Sequence, residues 1–63
     1  MALRRDVSRS LLLAWNGERR FADVMRGHVE AGRIKRREAE RLVIRYHQDR
    51  QRLLVQLDDW AHR

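Results

Sequence analysis

Apolar residues recur in alternating steps of four and three along both halves of this chain, and that spacing predicts two long helices. In the first half the positions are Val7, Leu11, Ala14, Phe21, Met25 and His28–Val29. In the second half they are Ala39, Val43, Tyr46, Leu53, Leu57 and Trp60. Each series lacks one member, at Glu18 and at Arg50. Because such a heptad repeat is typical of helices that pack along a seam, and because the chain has no proline, we expect an all-α protein.

Glycine gives the chain its places to turn, and the best of the three glycines is Gly32. It follows the end of the first seam and suits the left-handed position just after a helix C-terminus. The heptad spacing continues in phase across Asn16–Gly17, which favours one helix from about Asp6 to Ala31. Asn-Gly is also a strong turn dipeptide, so a break at that point, giving three helices, is the alternative.

An antiparallel hairpin about Gly32 would bring the two seams together in one register, with Met25 level with Val43. The same register puts Glu18 opposite Arg50, so that the two gaps in the seams coincide. We therefore predict an ion pair between these two residues inside the seam, which would fix the register more than it would stabilise the fold. The alternative is that both side chains reach solvent separately.

A chain of 63 residues without cysteine has neither a disulfide nor a thiolate metal site, so helix packing or self-association must stabilise it. Apolar and uncharged side chains are left off the seam, and we expect them to form a second contact surface. Its predicted members are Leu13, Val24, Ile44, Gln48, Gln51 and Val55. We expect residues 1–63 to form a single helical-hairpin domain that dimerises into a four-helix bundle. A three-helix monomer with a broader core and a complex with a different protein are the alternatives.

The net charge of +6 favours an anionic partner. Four positive residues fall within five positions at the turn, namely Arg33, Lys35, Arg36 and Arg37. They stand where the N-terminal end of the second helix disfavours positive charge, and the unpaired amide groups there suit phosphate. Arg4 and Arg5, with Arg9, form a second basic patch that the hairpin would place at its opposite end. The alternative is that the turn cluster is only a solvated turn.

The sequence contains no motif for catalysis or metal binding, and we expect no enzyme activity, no cofactor and no metal site. His28, His47 and His62 lack i,i+4 spacing, and none lies level with another in the hairpin. In that arrangement neither Ser8 nor Ser10 has a histidine beside it. A helix-turn-helix motif is excluded as well, because in every register a charged residue or a histidine falls where a small or aliphatic residue is needed.

Two classes of function stay open. The first is a small, basic regulatory protein that, as a dimer, binds RNA or DNA by its backbone or shape. In its expected shape, a dimer of helical hairpins, the chain resembles the small RNA-binding copy-control proteins of the Rop family, and no contact residues are carried over from them. The second class is a protein-binding adaptor, inhibitor or small chaperone that uses exposed apolar helix faces.

The longest apolar run, Leu11–Trp15, is far shorter than the roughly 20 residues of a membrane span. No signal-peptide cleavage site follows it. Charges surround both predicted helices, which disfavours a membrane-active peptide. We therefore expect a cytoplasmic protein with no membrane partner.

Overall fold

The structure, a computed structural model, describes residues 2–63 and is all-helical over that range. Its four helices are α1 (Arg5–Leu13), α2 (Glu18–Glu30), α3 (Arg36–Gln48) and α4 (Arg50–Ala61). Each helix contacts the next one along the chain, and α1 also contacts α4, so that the four helices close into a ring. The all-α prediction is confirmed. The prediction of two long helices is wrong, because each of them is divided into two.

The dimensions of the molecule exclude a helix of the expected length. A continuous helix from Asp6 to Ala31 would be about 39 Å long at about 1.5 Å per residue. The described chain measures only 26 × 25 × 19 Å. Both arms of the expected hairpin are therefore folded back, and a single chain provides the four packed helices that we expected from two copies.

The first break lies at Asn16–Gly17, where the alternative prediction placed it. Helix α1 ends at Leu13, and Gly17 is the N-cap residue of α2 with an extended backbone. The prediction of one unbroken helix is wrong at this point. The heptad spacing stays in phase although the helix is interrupted. This is possible because the second arm is also interrupted, at nearly the same distance from the turn.

That second break falls at Asp49, where the chain has neither glycine nor proline. Asp49 has φ −147° and ψ 66°, and it serves both as the C-cap of α3 and as the N-cap of α4. Since both arms bend together, α1 still packs against α4 and α2 still packs against α3. The pairing of the two seams therefore survives both breaks.

Gly32 forms the turn between α2 and α3, as the sequence predicts. Its φ is +76°. The Arg33 amide donates to the His28 carbonyl at 2.9 Å, and the Gly32 amide donates to the Val29 carbonyl at 3.0 Å. These two bonds define a Schellman motif, whose left-handed residue is adopted by glycine at no steric cost.

The hydrophobic core draws on all four helices and on the turn. Its buried apolar residues are Val7, Leu11, Ala14, Phe21, Met25, Ile34, Ala39, Leu42, Tyr46, Leu53, Leu57, Trp60 and Ala61. Most belong to the predicted seams, although Leu42 is buried in place of its neighbour Val43, which is only partly buried. Val24, which we expected in the second contact surface, also packs against this core, as does Trp15. Part of the surplus apolar surface is thus used within one chain.

Candidate nucleic-acid interface

The turn cluster is exposed between α2 and α3. Arg33 follows the Schellman turn, Lys35 is the N-cap residue of α3, and Arg36 and Arg37 begin its first turn. No carboxylate among residues 2–63 lies within 4.0 Å of any of these four cations. Other exposed arginines also lack a carboxylate partner. The cluster differs from them in having four cations within five positions.

The basic residues of α1 lie beside the C-terminal end of α4. Arg5 donates a hydrogen bond to the carbonyl of Arg63. One turn further along, Arg9 donates from Nε to the carbonyl of Ala61 at 3.2 Å. Positive charge is favoured at this end of a helix because the last carbonyl groups carry a partial negative charge. The fold therefore stabilises this patch, in contrast to the turn cluster.

His28 connects the turn cluster to α1. Its Nε2 lies 3.0 Å from Ser10 Oγ, and its Nδ1 lies 3.4 Å from a guanidinium nitrogen of Arg33. Ser10 lines the same surface depression as Arg5 and Arg9. Arg33, the first residue of the turn cluster, therefore lies on the same side of the molecule as Arg5 and Arg9. The prediction that the two patches occupy opposite ends is wrong, because α1 folds back along α2.

We refer to the combined patches as the basic surface. It comprises Arg4, Arg5, Arg9, Arg33, Lys35 and Arg37, whereas Arg36 lines the groove between α2 and α3. Acidic side chains lie among them as well, since Asp6 forms an ion pair with Arg4 at 3.2 Å and Glu38 stands in the first turn of α3. The sequence did not predict that Arg33 lies beside the patch on α1, because that proximity depends on how α1 folds back along α2.

The expectation that no histidine lies beside a serine is also wrong, because Ser10 contacts His28. The Arg33 guanidinium can only donate, so His28 Nδ1 accepts, and Nε2 carries the ring proton and donates it to Ser10 Oγ. In this tautomer Nε2, the nitrogen that faces Ser10, carries a proton and has no lone pair with which to take another from the hydroxyl. The contact therefore orients the two side chains and does not activate a nucleophile.

The protonation of His28 is sensitive to its surroundings. Its pKa is lowered from the usual 6.5, first by partial burial of the ring and then by the Arg33 cation, while the Asp6 carboxylate acts in the opposite direction. A neutral His28 adds no charge to the basic surface. An anion bound there would favour the protonated ring and so counteract this lowering.

The predicted ion pair between Glu18 and Arg50 does not form. Glu18 Oε1 lies 2.7 Å from Nδ1 of His47. Arg50 donates to the hydroxyl of Tyr46 at 2.8 Å, and its guanidinium carbon lies 4.6 Å from the centre of the Tyr46 ring. Glu18 and Arg50 begin α2 and α4, so each follows a helix break and does not face the other across a continuous seam.

The residues predicted as a second contact surface are distributed over all four helices. Five are exposed, namely Leu13, Ile44, Gln48, Gln51 and Val55. The break at Asp49 divides the last four between α3 and α4, so they do not lie along one helix. Val24 is partly buried against the core.

Comparison of the chain with protein-family models, with curated proteins and with solved structures found no match. None of the four helices in the described range is both long and apolar enough to cross a membrane. Within residues 2–63, no group of three His, Asp or Glu side chains is placed to hold a metal ion. The basic surface is therefore the feature from which a function is best inferred.

Proposed function

We propose that this protein binds the phosphate backbone of RNA or DNA through the basic surface, without reading base sequence. The observation that carries the proposal is the chain of contacts from Arg33 through His28 to Ser10. It brings Arg33, the first residue of the turn cluster, to the side of α1 that holds Arg5 and Arg9. A nucleic-acid backbone presents a row of anions, and cations from two separate helices suit such a row better than either patch alone.

The start of α3 supports the same proposal. The side chain of Lys35, at the N-cap, makes no hydrogen bond to the helix, so it leaves the first amide groups of α3 without a capping acceptor. Those amides and the adjacent cations favour an anion at the same place. Arginine also binds phosphate oxygens in pairs through its planar guanidinium.

The test compares two double variants that remove equal charge from the N-terminal end of a helix. Lys35→Gln/Arg37→Gln alters the basic surface, and Arg19→Gln/Arg20→Gln alters the start of α2, about 18 Å away along that helix from the turn. Binding to short labelled RNA and DNA duplexes of mixed sequence is measured by fluorescence anisotropy. We expect the first variant to weaken binding clearly more than the second, with little dependence on sequence.

Equal weakening by the two variants would contradict the proposal, because binding would then follow net charge alone. A wild-type protein that binds neither duplex would contradict it as well. Binding to only one of the two duplexes would retain the proposal and narrow the ligand to that nucleic acid. Circular dichroism of each variant shows whether the helices are intact.

The second candidate is a protein-binding adaptor, inhibitor or small chaperone. It is favoured by three large aliphatic side chains that are exposed to solvent. They are Leu13 (77% exposed), Val55 (62%) and Ile44 (52%). Retention on a polyanion column that falls steeply with salt supports the nucleic-acid proposal. A stoichiometric protein that stays bound at high salt supports the adaptor.

We propose a homodimer as the form that binds, located in the cytoplasm. Two joined copies double the number of cations that one nucleic acid can contact, which increases affinity without any new type of contact. The ring of four helices leaves an apolar groove between α2 and α3 to which a second copy could bind.

A further inference from the structure

The groove between α2 and α3 is lined by small and apolar side chains along its length. They are Ala22, Met25, Val29, Ala39, Val43 and Ile44. The groove has a volume of about 700 Å³. Alanine on both helices leaves space that larger side chains would fill, and Ile44 is 52% exposed at this surface. An apolar groove of this kind is typical of a site that another helix covers.

Four charged residues line the same groove and follow one pattern. Arg26 and Glu30 stand one turn apart on α2, and Arg36 and Glu40 stand one turn apart on α3. Because α2 ends at the turn and α3 begins there, Glu30 and Arg36 lie at the end of the groove nearest the turn. Arg26 and Glu40 lie one helical turn further away from it.

This pattern is complementary to itself. If a twofold axis crosses the helices, α2 packs on α2 of the second copy, so that Arg26 meets Glu30 and Arg36 meets Glu40. If the axis runs along the helices, α2 packs on α3 of the second copy, so that Glu30 meets Arg36 and Arg26 meets Glu40. Opposite charges meet in both arrangements, and twofold dimers are the commonest assemblies of identical chains.

From this charge pattern we infer that the occupant of the α2–α3 groove is a second copy of this chain. The inference rests on the proposed homodimer and names the surface that forms it. It assigns the interface to the groove, which contains Ile44, and not to the surface around Val55 on α4. It does not depend on nucleic-acid binding, because the dimer is measured without nucleic acid present.

Ile44 and Val55 provide a matched pair of exposed aliphatic residues, of which only Ile44 lines the groove. Ile44→Asp puts a charge into the proposed interface, and we expect it to raise the dimer dissociation constant by more than about tenfold, whereas Val55→Asp leaves it unchanged. Size-exclusion chromatography with light scattering and sedimentation equilibrium give the masses and constants. Thermal unfolding followed by circular dichroism verifies that both variants are folded.

Charge exchange supplies a second and independent measurement. Glu40→Arg alone places like charges together in either arrangement and is expected to weaken the dimer. Adding Arg36→Glu restores it if the axis crosses the helices, and adding Arg26→Glu restores it if the axis runs along them. Asp58→Arg on α4 makes the same charge change outside the groove and is expected to have no effect.

The outcomes separate the surface from the oligomeric state. A wild-type protein that stays monomeric over the whole concentration range overturns both the dimer and the groove. A wild-type dimer that dissociates with Val55→Asp but not with Ile44→Asp retains the dimer and overturns the groove. Restoration by neither double variant also overturns it, while restoration by one of them supports the groove and defines the axis.

Discussion

Tyr46 connects the two places at which the arms of the chain bend. Its hydroxyl donates to the carbonyl of Trp15 at 2.7 Å, within the first break, and accepts from Arg50 at 2.8 Å, just after the second. Its ring stacks on Phe21 with 4.3 Å between centroids and 17° between planes. The ring position followed from the heptad spacing, whereas the hydroxyl contacts depend on breaks that bring loop carbonyls within reach.

Tyr46→Phe therefore keeps the aromatic stack and removes both hydrogen bonds of the hydroxyl. Because Tyr46 is buried, the Trp15 carbonyl loses its donor in a place that water reaches poorly. We expect the free energy of unfolding to fall by about 1–3 kcal/mol, measured by urea denaturation. A change below about 0.5 kcal/mol would show that the hydroxyl does not hold the two breaks together.

His28 gives the fold a dependence on pH whose sign follows from its lowered pKa. Below the usual 6.5 the unfolded chain takes up a proton on this residue before the folded chain does, so stability is fully present above 6.5 and decreases as the pH falls. We expect His28→Gln to lack that decrease in thermal unfolding between pH 6.5 and about pH 5. His62→Gln, which alters an exposed histidine, is the control and should retain it; equal pH profiles for wild type and His28→Gln would contradict the assignment.

Among the helical elements, α3 begins with a residue that favours anion binding but does not cap the helix. Lys35 occupies the N-cap without capping the helix, and Glu38 stands three residues later. A serine at position 35 would complete a capping box with Glu38, in which each side chain bonds to the backbone amide of the other residue. With lysine at position 35 the helix is less stable than it would be with serine, at the place where we propose phosphate binding.

Lys35→Ser is accordingly expected to stabilise the protein by about 1 kcal/mol and to weaken nucleic-acid binding at the same time. Lys35→Ala is the control, since it removes the same charge without providing a cap. We expect it to weaken binding equally without the gain in stability. Thermal unfolding and anisotropy on the same samples separate the two effects, and unchanged binding by both variants would remove Lys35 from the basic surface.

How far the sequence could predict the elements differs from break to break. Gly32 was predictable, because a glycine after a helical stretch has a specific role in the Schellman turn. Asn16–Gly17 left two outcomes open, since glycine weakens a helix without ending it. The break at Asp49 carries no glycine or proline, and its local signs were weak: aspartate is favoured at a helix N-cap, and Arg50 interrupts the apolar seam. A break of that kind depends on tertiary packing, which local sequence does not encode.

At the scale of the whole molecule, the two bends change what the sequence patterns mean. The apolar seams predicted most of the core correctly, because α1 still faces α4 and α2 still faces α3. The separation of the two basic patches was inferred from a straight hairpin and was wrong, whereas their role in binding stays a prediction. Folding each arm back shortens the molecule to 26 Å and brings Arg33, through His28, to the same side as Arg5 and Arg9.

The central claim, that both basic patches contact one nucleic acid, is tested most directly by the salt dependence of binding. The slope of log affinity against log salt concentration is measured for wild type, Arg4→Gln/Arg5→Gln, Lys35→Gln/Arg37→Gln and the four-fold variant. Each lost phosphate contact lowers the slope by about 0.7–0.9, so we predict a decrease of about 1.4–1.8 for each pair and the sum for the four-fold variant. A slope that only one of the pairs alters would contradict the claim, because the two patches would then not bind the same nucleic acid.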